Sequence, residues 1–579
     1  MLTDSRPRRS SFSTFEELTD VIVGVALVKP RPGVFVDSIS HLLVLATPAQ
    51  VTLVGLGYAA PSPGAKKEVT FYLTGLSVPT DGISFTTVRG TSSGRIFLSS
   101  SPEPLTPGGI GGDGCLYELA YQAQEGWFVK RCTLNNLTSG GIVKSVVPSF
   151  LRSLSAIPQN EWITSIEVDN ERGLLYTLLR NSTIEMYQLP SSGPGKAFDG
   201  PPHRVAKSGD LQRTANMLLP NNPMLRSFRI AEMEVISAKE GGNAKIALVA
   251  VTTTGVRLYF THQRRGYYYA PSGSAATLEL CHVRPPPAPT SQQAPNPTAN
   301  GMYGQVVATQ QQSQNGNNNN SSGGGANSIP FNAISQAKYA SGGLLIAANN
   351  LTQDLDVLLV TAPDVSSQSL SSAATATGTV SQQTRPFSEV AGTIEISGRT
   401  WDVAEITPRA IVTPGGGTAL NELATQPTQA RREWVILTNM GASVISRQRP
   451  VDTLVDVLEV MGMNGNSGGH GEIGVFFERC AHPSGRMPSA HLRLGVADLQ
   501  TFHGNSYGRD QSCAMLLPIA ASNSHLAVSD SHEAGQAGAR HTSAATAERA
   551  KALFFEGGGR PVSIDRGGYG GEPEETGYF

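Results

Sequence analysis

Several residue patterns in this chain have the types and spacing that chemistry uses. Gly465-Asn-Ser467-Gly-Gly469 and Gly504-Asn-Ser506-Tyr-Gly508 both fit G-x-S-x-G, the turn that lifts a nucleophilic serine in hydrolases. That elbow needs a strand entering and a helix leaving, and neither match offers them. Gly109-Ile-Gly-Gly-Asp-Gly114 fits G-x-G-x-x-G, but it leads into the strand-like CLYELAY instead of opening a helix, so the phosphate-binding geometry is not expected. Cys480, His482, His491, His503 and Cys513 are the one cluster of zinc-type ligands, at spacings that repeat no finger or ribbon. The carboxylate pairs Glu17/Asp20, Glu232/Glu234 and Asp354/Asp356 could serve as acid and base only if they faced a common cavity. They read instead as solvated turns. No cofactor, metal or catalytic residue is therefore expected, and the chain is not read as an enzyme.

The best local candidate is physical, not catalytic. From Asp210, a helix N-cap by type, Leu211, Ala215 and Leu218 fall on one helical face, and Pro220 ends the run. Met217, Leu219, Met224, Leu225 and Phe228 add apolar bulk, while Arg213, Arg226 and Arg229 can reach lipid headgroups. Such a weakly charged amphipathic piece can lie in a membrane interface. It can equally pack on the rim of a larger fold.

The elements that position these residues are short strands. Trp162 to Leu189, WITSIEVDNERGLLYTLLRNSTIEMYQL, reads as three strands in a row, joined by turns at Asp169–Gly173 and Arg180–Ser182. Lys245 to Phe260 repeats the hairpin theme about a Thr252-Thr253-Thr254-Gly255 turn. Meanders of this kind bury their faces only against similar meanders, and about six blade-like units can be found, within the roughly four to eight blades typical of propellers. The aromatics Trp127, Tyr176, Tyr187, Tyr259 and Trp434 read as inter-blade core. Residues 190–228 outside the amphipathic piece read as irregular. Residues 285–330, Pro-rich and then Gln/Asn-rich, and 363–386, rich in Ser, Thr, Ala and Gln, are read as disordered insertions. From Pro450 the period changes: Leu454, Val457, Leu458 and Met461 recur at helical spacing, with Pro at the first turn.

Composition agrees with a mainly β body. Among 579 residues, charged types make up 16%, well under the roughly 25% of an average chain, and 62 Gly and 37 Pro favour turns over long helices. The net charge of −2 gives no field that would gather nucleic acid. Five scattered cysteines suit a reducing compartment, and the first residues lack the apolar core of a secretory signal.

Six strings carry a resemblance. They are GRIFLSS (94–100), DGCLYELAYQAQEGWFVKRC (113–132), VDNERGLLYTLLRNSTIEMYQL (168–189), TTTGVRLYF (252–260), HVRPPP (282–287) and RPVDTL (449–454). In this order they resemble the N-terminal region of the large non-repeat scaffold nucleoporins of the nuclear pore inner ring. The likeness runs from about Leu18 to Leu454 and more weakly through DQSCAMLL to KALFFEGGG. It implies a seven-bladed β-propeller followed by an α-helical solenoid. The expected organisation is a disordered N-terminus at 1–15, the propeller at 16–448, the start of the solenoid at 449–556 and a Gly-rich tail at 557–579. Relative to the family pattern the chain reads as truncated at both ends. The resemblance further implies a structural scaffold at the nuclear envelope, contact with other inner-ring nucleoporins, including the membrane-associated linker that carries an RNA-recognition-like domain, and a membrane-contacting loop in the propeller. Position between matched strands assigns that loop to residues 207–229. A propeller-plus-solenoid vesicle-coat subunit and a propeller hydrolase are the competing readings.

Overall fold

Short apolar runs bounded by turn residues become the middle strands of sheets that are covered on both faces. A computed structural model of the chain describes residues 20–59, 68–100, 112–122, 131–138, 158–190, 200–226, 228–238, 245–262, 277–287, 331, 333–340, 344–349, 352–363, 389–406, 432–447, 450–463, 515–520, 543–556, 561–564 and 575–578. Most of the insertions, Trp127, both G-x-S-x-G matches and the Cys480 to Cys513 ligand cluster lie outside these residues.

The strands follow one another in antiparallel meanders. Gly24–Val28, His41–Ala46, Gln50–Ala59 and Glu68–Pro79 (β1–β4) form the first sheet, and Phe85–Gly90, Ile96–Ser100, Leu116–Tyr121 and Cys132–Asn136 (β5–β8) the second. Ile163–Asp169, Leu174–Leu179, Ile184–Gln188 and His203–Lys207 (β9–β12) form the third. Ile230–Val235, Ile246–Thr252, Arg257–Thr261 and Glu279–Arg284 (β13–β16) form the fourth. Ile334–Ala340, Leu344–Asn349, Leu355–Pro363 and Glu389–Ser397 (β17–β20) follow, then the three strands Thr400–Ile406, Glu433–Thr438 and Gly441–Ser446 (β21–β23). Each meander is a propeller blade, and six are present among the described residues.

The chain divides into two units. One holds β1 to β18 and the helix at 211–218; the other holds the later strands and the helices from residue 450 onward. In the first unit the opening strands of successive blades run side by side, β1 next to β5, β5 next to β9, β9 next to β13 and β13 next to β17. The middle strands β10 (LLYTLL) and β14 (IALVAVT) are buried at every residue, whereas the outermost strand β12 (HRVAK) is mostly exposed. That gradient explains why β10 was readable as a continuous apolar run and β12 was not. Tyr176, Tyr259 and, in the second unit, Trp434 are buried as expected of core aromatics, and Tyr187 is half-buried.

Turn chemistry fixes the hairpins. Asp169 Oδ1 accepts from the Arg172 amide at 2.9 Å and its Oδ2 pairs with Arg172 Nη1 at 2.5 Å, while Gly173 takes a φ of +64° that closes the turn into β10. Gly114 has a second constraint. Its φ is +69°, and a Cβ there would come within 2.6 Å of Trp162 Cβ where the second blade meets the third. Gly114→Ala is therefore expected to destabilise the first unit by about 2–4 kcal/mol, from a strained backbone and an overpacked seam. Urea unfolding of the full chain checks this, and a loss below about 0.5 kcal/mol would show that the seam relaxes freely.

In the second unit, Pro450–Met463 and Ala544–Glu556 (α2 and α3, after a first helix described below) pack with a helical stretch at 515–520. Val451, Leu454, Val455 and Leu458 meet Met515, Leu516 and Ile519 and then Ala550, Leu553 and Phe554 in a core of their own. Arg549 Nη1 donates to the Leu458 carbonyl at 3.0 Å, taking up a backbone acceptor of α2. Within the Gly-rich tail, Pro561–Ile564 pairs with Glu575–Tyr578 (β24, β25).

Candidate functional site

The amphipathic segment folds as its sequence suggests. Asp210 caps Leu211–Leu218 (α1): its Oδ1 accepts from the Arg213 amide at 2.9 Å, and its carbonyl accepts from Thr214 Oγ1 at 2.9 Å. After α1 the chain turns through Pro220 and Asn221, whose φ is +61°, and Asn222 Oδ1 accepts from the Met224 amide at 2.9 Å to cap a single 3-10 turn at Pro223–Leu225. Gln212 Nε2 reaches across to the Leu225 carbonyl at 3.1 Å and locks helix and turn together.

Burial divides the nine candidate residues. Leu211, Ala215 and Leu225 are buried in a core shared by the third and fourth blades, with Ala215 and Leu225 at 0% exposure, and α1 lies against β16. Leu218, Leu219, Met224 and Phe228 are half-buried at the edge of the same core. Met217 stands out at 66% exposed, and Arg213 is exposed, as are the neighbouring Arg226 and Arg229. The face predicted from periodicity is thus the one that packs on the blades. What reaches solvent is Met217, with Arg213, Arg226 and Arg229 exposed in the same segment. No described helix is long and apolar enough to cross a membrane.

A second constellation was misread from sequence. Glu232 and Glu234 were expected in a solvated turn; they occupy β13, where i and i+2 share a face, and Glu234 is buried. Asp356 is likewise buried on β19, while Asp354 is exposed. Ser165 Oγ donates to Glu232 Oε1 at 2.5 Å, Lys338 Nζ lies 3.1 Å from Glu234 Oε1, and Arg89 Nε lies 2.7 Å from Glu167 Oε1. Burial pushes the Glu232 carboxyl above its ordinary range, reinforced by Glu167 and opposed by the Ser165 hydroxyl, and pushes Glu234 up to about 8. The partners are far apart in sequence, which is why no local pattern exposed the cluster. Among the described residues no three His, Cys, Asp or Glu side chains are grouped to hold a metal ion.

Comparison with known proteins gives a consistent picture. The family model described as Nup133 N terminal like, of the Nucleoporin_N family, matches residues 3–444. A probable nucleoporin of Schizosaccharomyces pombe, C890.06, is 29% identical over 505 residues, covering 85% of this chain and 35% of that protein. Nucleoporin NUP170 of Chaetomium thermophilum is 30% identical over 450 residues, covering 77% of this chain and 29% of that protein. The crystal structure of the Chaetomium thermophilum Nup170 NTD–Nup53 complex superposes with a TM-score of 0.62 at 24% identity, over 94% of this chain and 64% of that one. This chain spans about a third of the length of these curated relatives.

Proposed function

The chain belongs to the Nucleoporin_N family, whose N-terminal region is like that of Nup133, and from that membership we propose that it is a structural scaffold subunit of the nuclear pore inner ring. The observation that carries this is the family match across residues 3–444, nearly all of the propeller. Its place is the nuclear pore complex at the nuclear envelope. The work is geometric. Rigid blades present surfaces to other nucleoporins, and no bond is made or broken. In this reading residues 16–448 are the propeller and 449–556 the first part of a helical solenoid, for which the separate core of α2 and α3 is the support. A linker nucleoporin of the Nup53 kind is the proposed partner, because the Chaetomium Nup170 NTD is solved in complex with Nup53.

The membrane contact is proposed for the outward part of residues 207–229. Met217 is the insertion point, with Leu218, Leu219, Met224 and Phe228 behind it and Arg213, Arg226 and Arg229 at headgroup level. Its support is an exposed apolar side chain near the end of a well-capped helix, in a segment that also exposes three arginines.

Two experiments test the proposal. A tagged full chain should concentrate at the nuclear rim and co-purify with inner-ring nucleoporins; enrichment on transport vesicles instead would replace the pore reading with a coat reading. In flotation with small and large anionic vesicles, the wild-type chain should float preferentially with the small ones. Met217→Asp/Arg226→Glu should lose most of that binding while keeping its melting profile, and unchanged flotation would remove the segment from the membrane.

A further inference from the structure

Arg89 on β5, Glu167 on β9, Glu232 and Glu234 on β13 and Lys338 on β17 stand on four neighbouring strands of the first unit. Three carboxylates face two cations. Arg89 is engaged by Glu167 and Lys338 by Glu234. Glu232 pairs directly with no cation among the described residues; its Oε1 accepts only from Ser165 Oγ and, at 3.3 Å, from the Met233 amide. The strand on the other side of β13 is β14, IALVAVT, which brings no titratable group. At the end of β13 the Ile236 carbonyl accepts from Arg172, a cation already paired with Asp169. Among the described residues no further cation is paired with the row.

We propose that this row is a proton-linked lock between blades two to five: Glu232 and Glu234 share one proton at neutral pH, and its release on the alkaline side leaves an unbalanced carboxylate between β9 and β13. The reason is solvation. An ionised carboxylate held in protein without a cation loses more hydration than its hydrogen bonds restore, and taking up a proton is the cheaper state. One proton brings the row to neutrality, because three carboxylates and two cations leave one negative charge.

The sign follows from linkage. The unfolded chain gives up this proton near the ordinary glutamate value, about 4.3, whereas the folded row keeps it until about 8, the value reached by Glu234. Across that window the folded state binds the extra proton, so this contribution to stability falls as pH rises and levels off once the folded row has also ionised. For one proton the change is about tenfold in the unfolding constant per pH unit.

The test is a difference acid–base titration of the folded full chain. Wild type should release about one proton more than Glu232→Gln/Glu234→Gln between about pH 6.5 and about pH 9. Equal release would overturn the proposal. Ser165→Ala supplies an independent arm that does not require the double variant to fold: the serine hydroxyl favours the ionised form, so its loss should move the midpoint upward, and an unmoved midpoint would also overturn it.

Discussion

Glu118→Ala is expected to destabilise the first unit by about 3–5 kcal/mol, the cost of stranding a buried charge. Arg95, at 2% exposure, sits just after the Thr91–Gly94 turn of the second blade, where its Nε and Nη2 grip the two oxygens of Glu118 on β7 at 2.7 and 2.9 Å. Nη2 also donates to the Gly200 carbonyl at 3.2 Å, and the guanidinium lies 5.1 Å from the Phe97 ring centre. The bidentate geometry fixes the orientation of the arginine, and among the described residues Glu118 is the carboxylate paired with it. The double replacement Arg95→Met/Glu118→Leu should recover most of the loss, because two apolar side chains of similar volume remove the desolvation cost along with the attraction. Equilibrium urea unfolding of the wild type, both single variants and the double variant measures this. A double variant as unstable as Glu118→Ala would mean that packing around Phe97 and Gly200, rather than the charge, sets the cost.

How far such features were legible in the sequence depended on whether their causes were local. The Asp169–Gly173 and Thr252–Gly255 turns were readable because the residues that make them are adjacent. In the second, Thr252 Oγ1 accepts from the Val256 amide at 3.0 Å and Gly255 takes a φ of +80°. The helix starting at Pro450 was readable for the same reason. β4, EVTFYLTGLSVP, was missed: a lysine pair and several prolines precede it, and Gly75 with a φ of +65° interrupts its alternation. β12 was missed because an outermost, exposed strand needs no apolar pattern. Non-local features were the least legible. The sequence EMEV looks solvated until Arg89, Glu167 and Lys338 are brought beside it by three other strands. The same holds for Gly114, whose requirement comes from Trp162 on the neighbouring blade.

The segment at 207–229 makes that distinction testable through two substitutions two residues apart. Ala215→Asp is expected to destabilise the first unit by at least about 3 kcal/mol, because the carboxylate enters a core with no cation to receive it. Met217→Asp is expected to change stability by no more than about 0.5 kcal/mol, since the side chain is already in water. Thermal melts and urea unfolding of the full chain measure both, and equal losses would show that α1 does not sit in the inter-blade core. The contrast also decides how membrane data can be interpreted. A charged residue at Leu211 or Ala215 abolishes vesicle binding whether the helix touches lipid or merely holds two blades together, because either way the fold is lost. Only a substitution at the exposed tip separates these cases. A helix packed on protein and a helix lying in lipid have the same 3.6-residue apolar period; here that face is already occupied by the third and fourth blades, so any contact with lipid must be made by the residues the period leaves outside it.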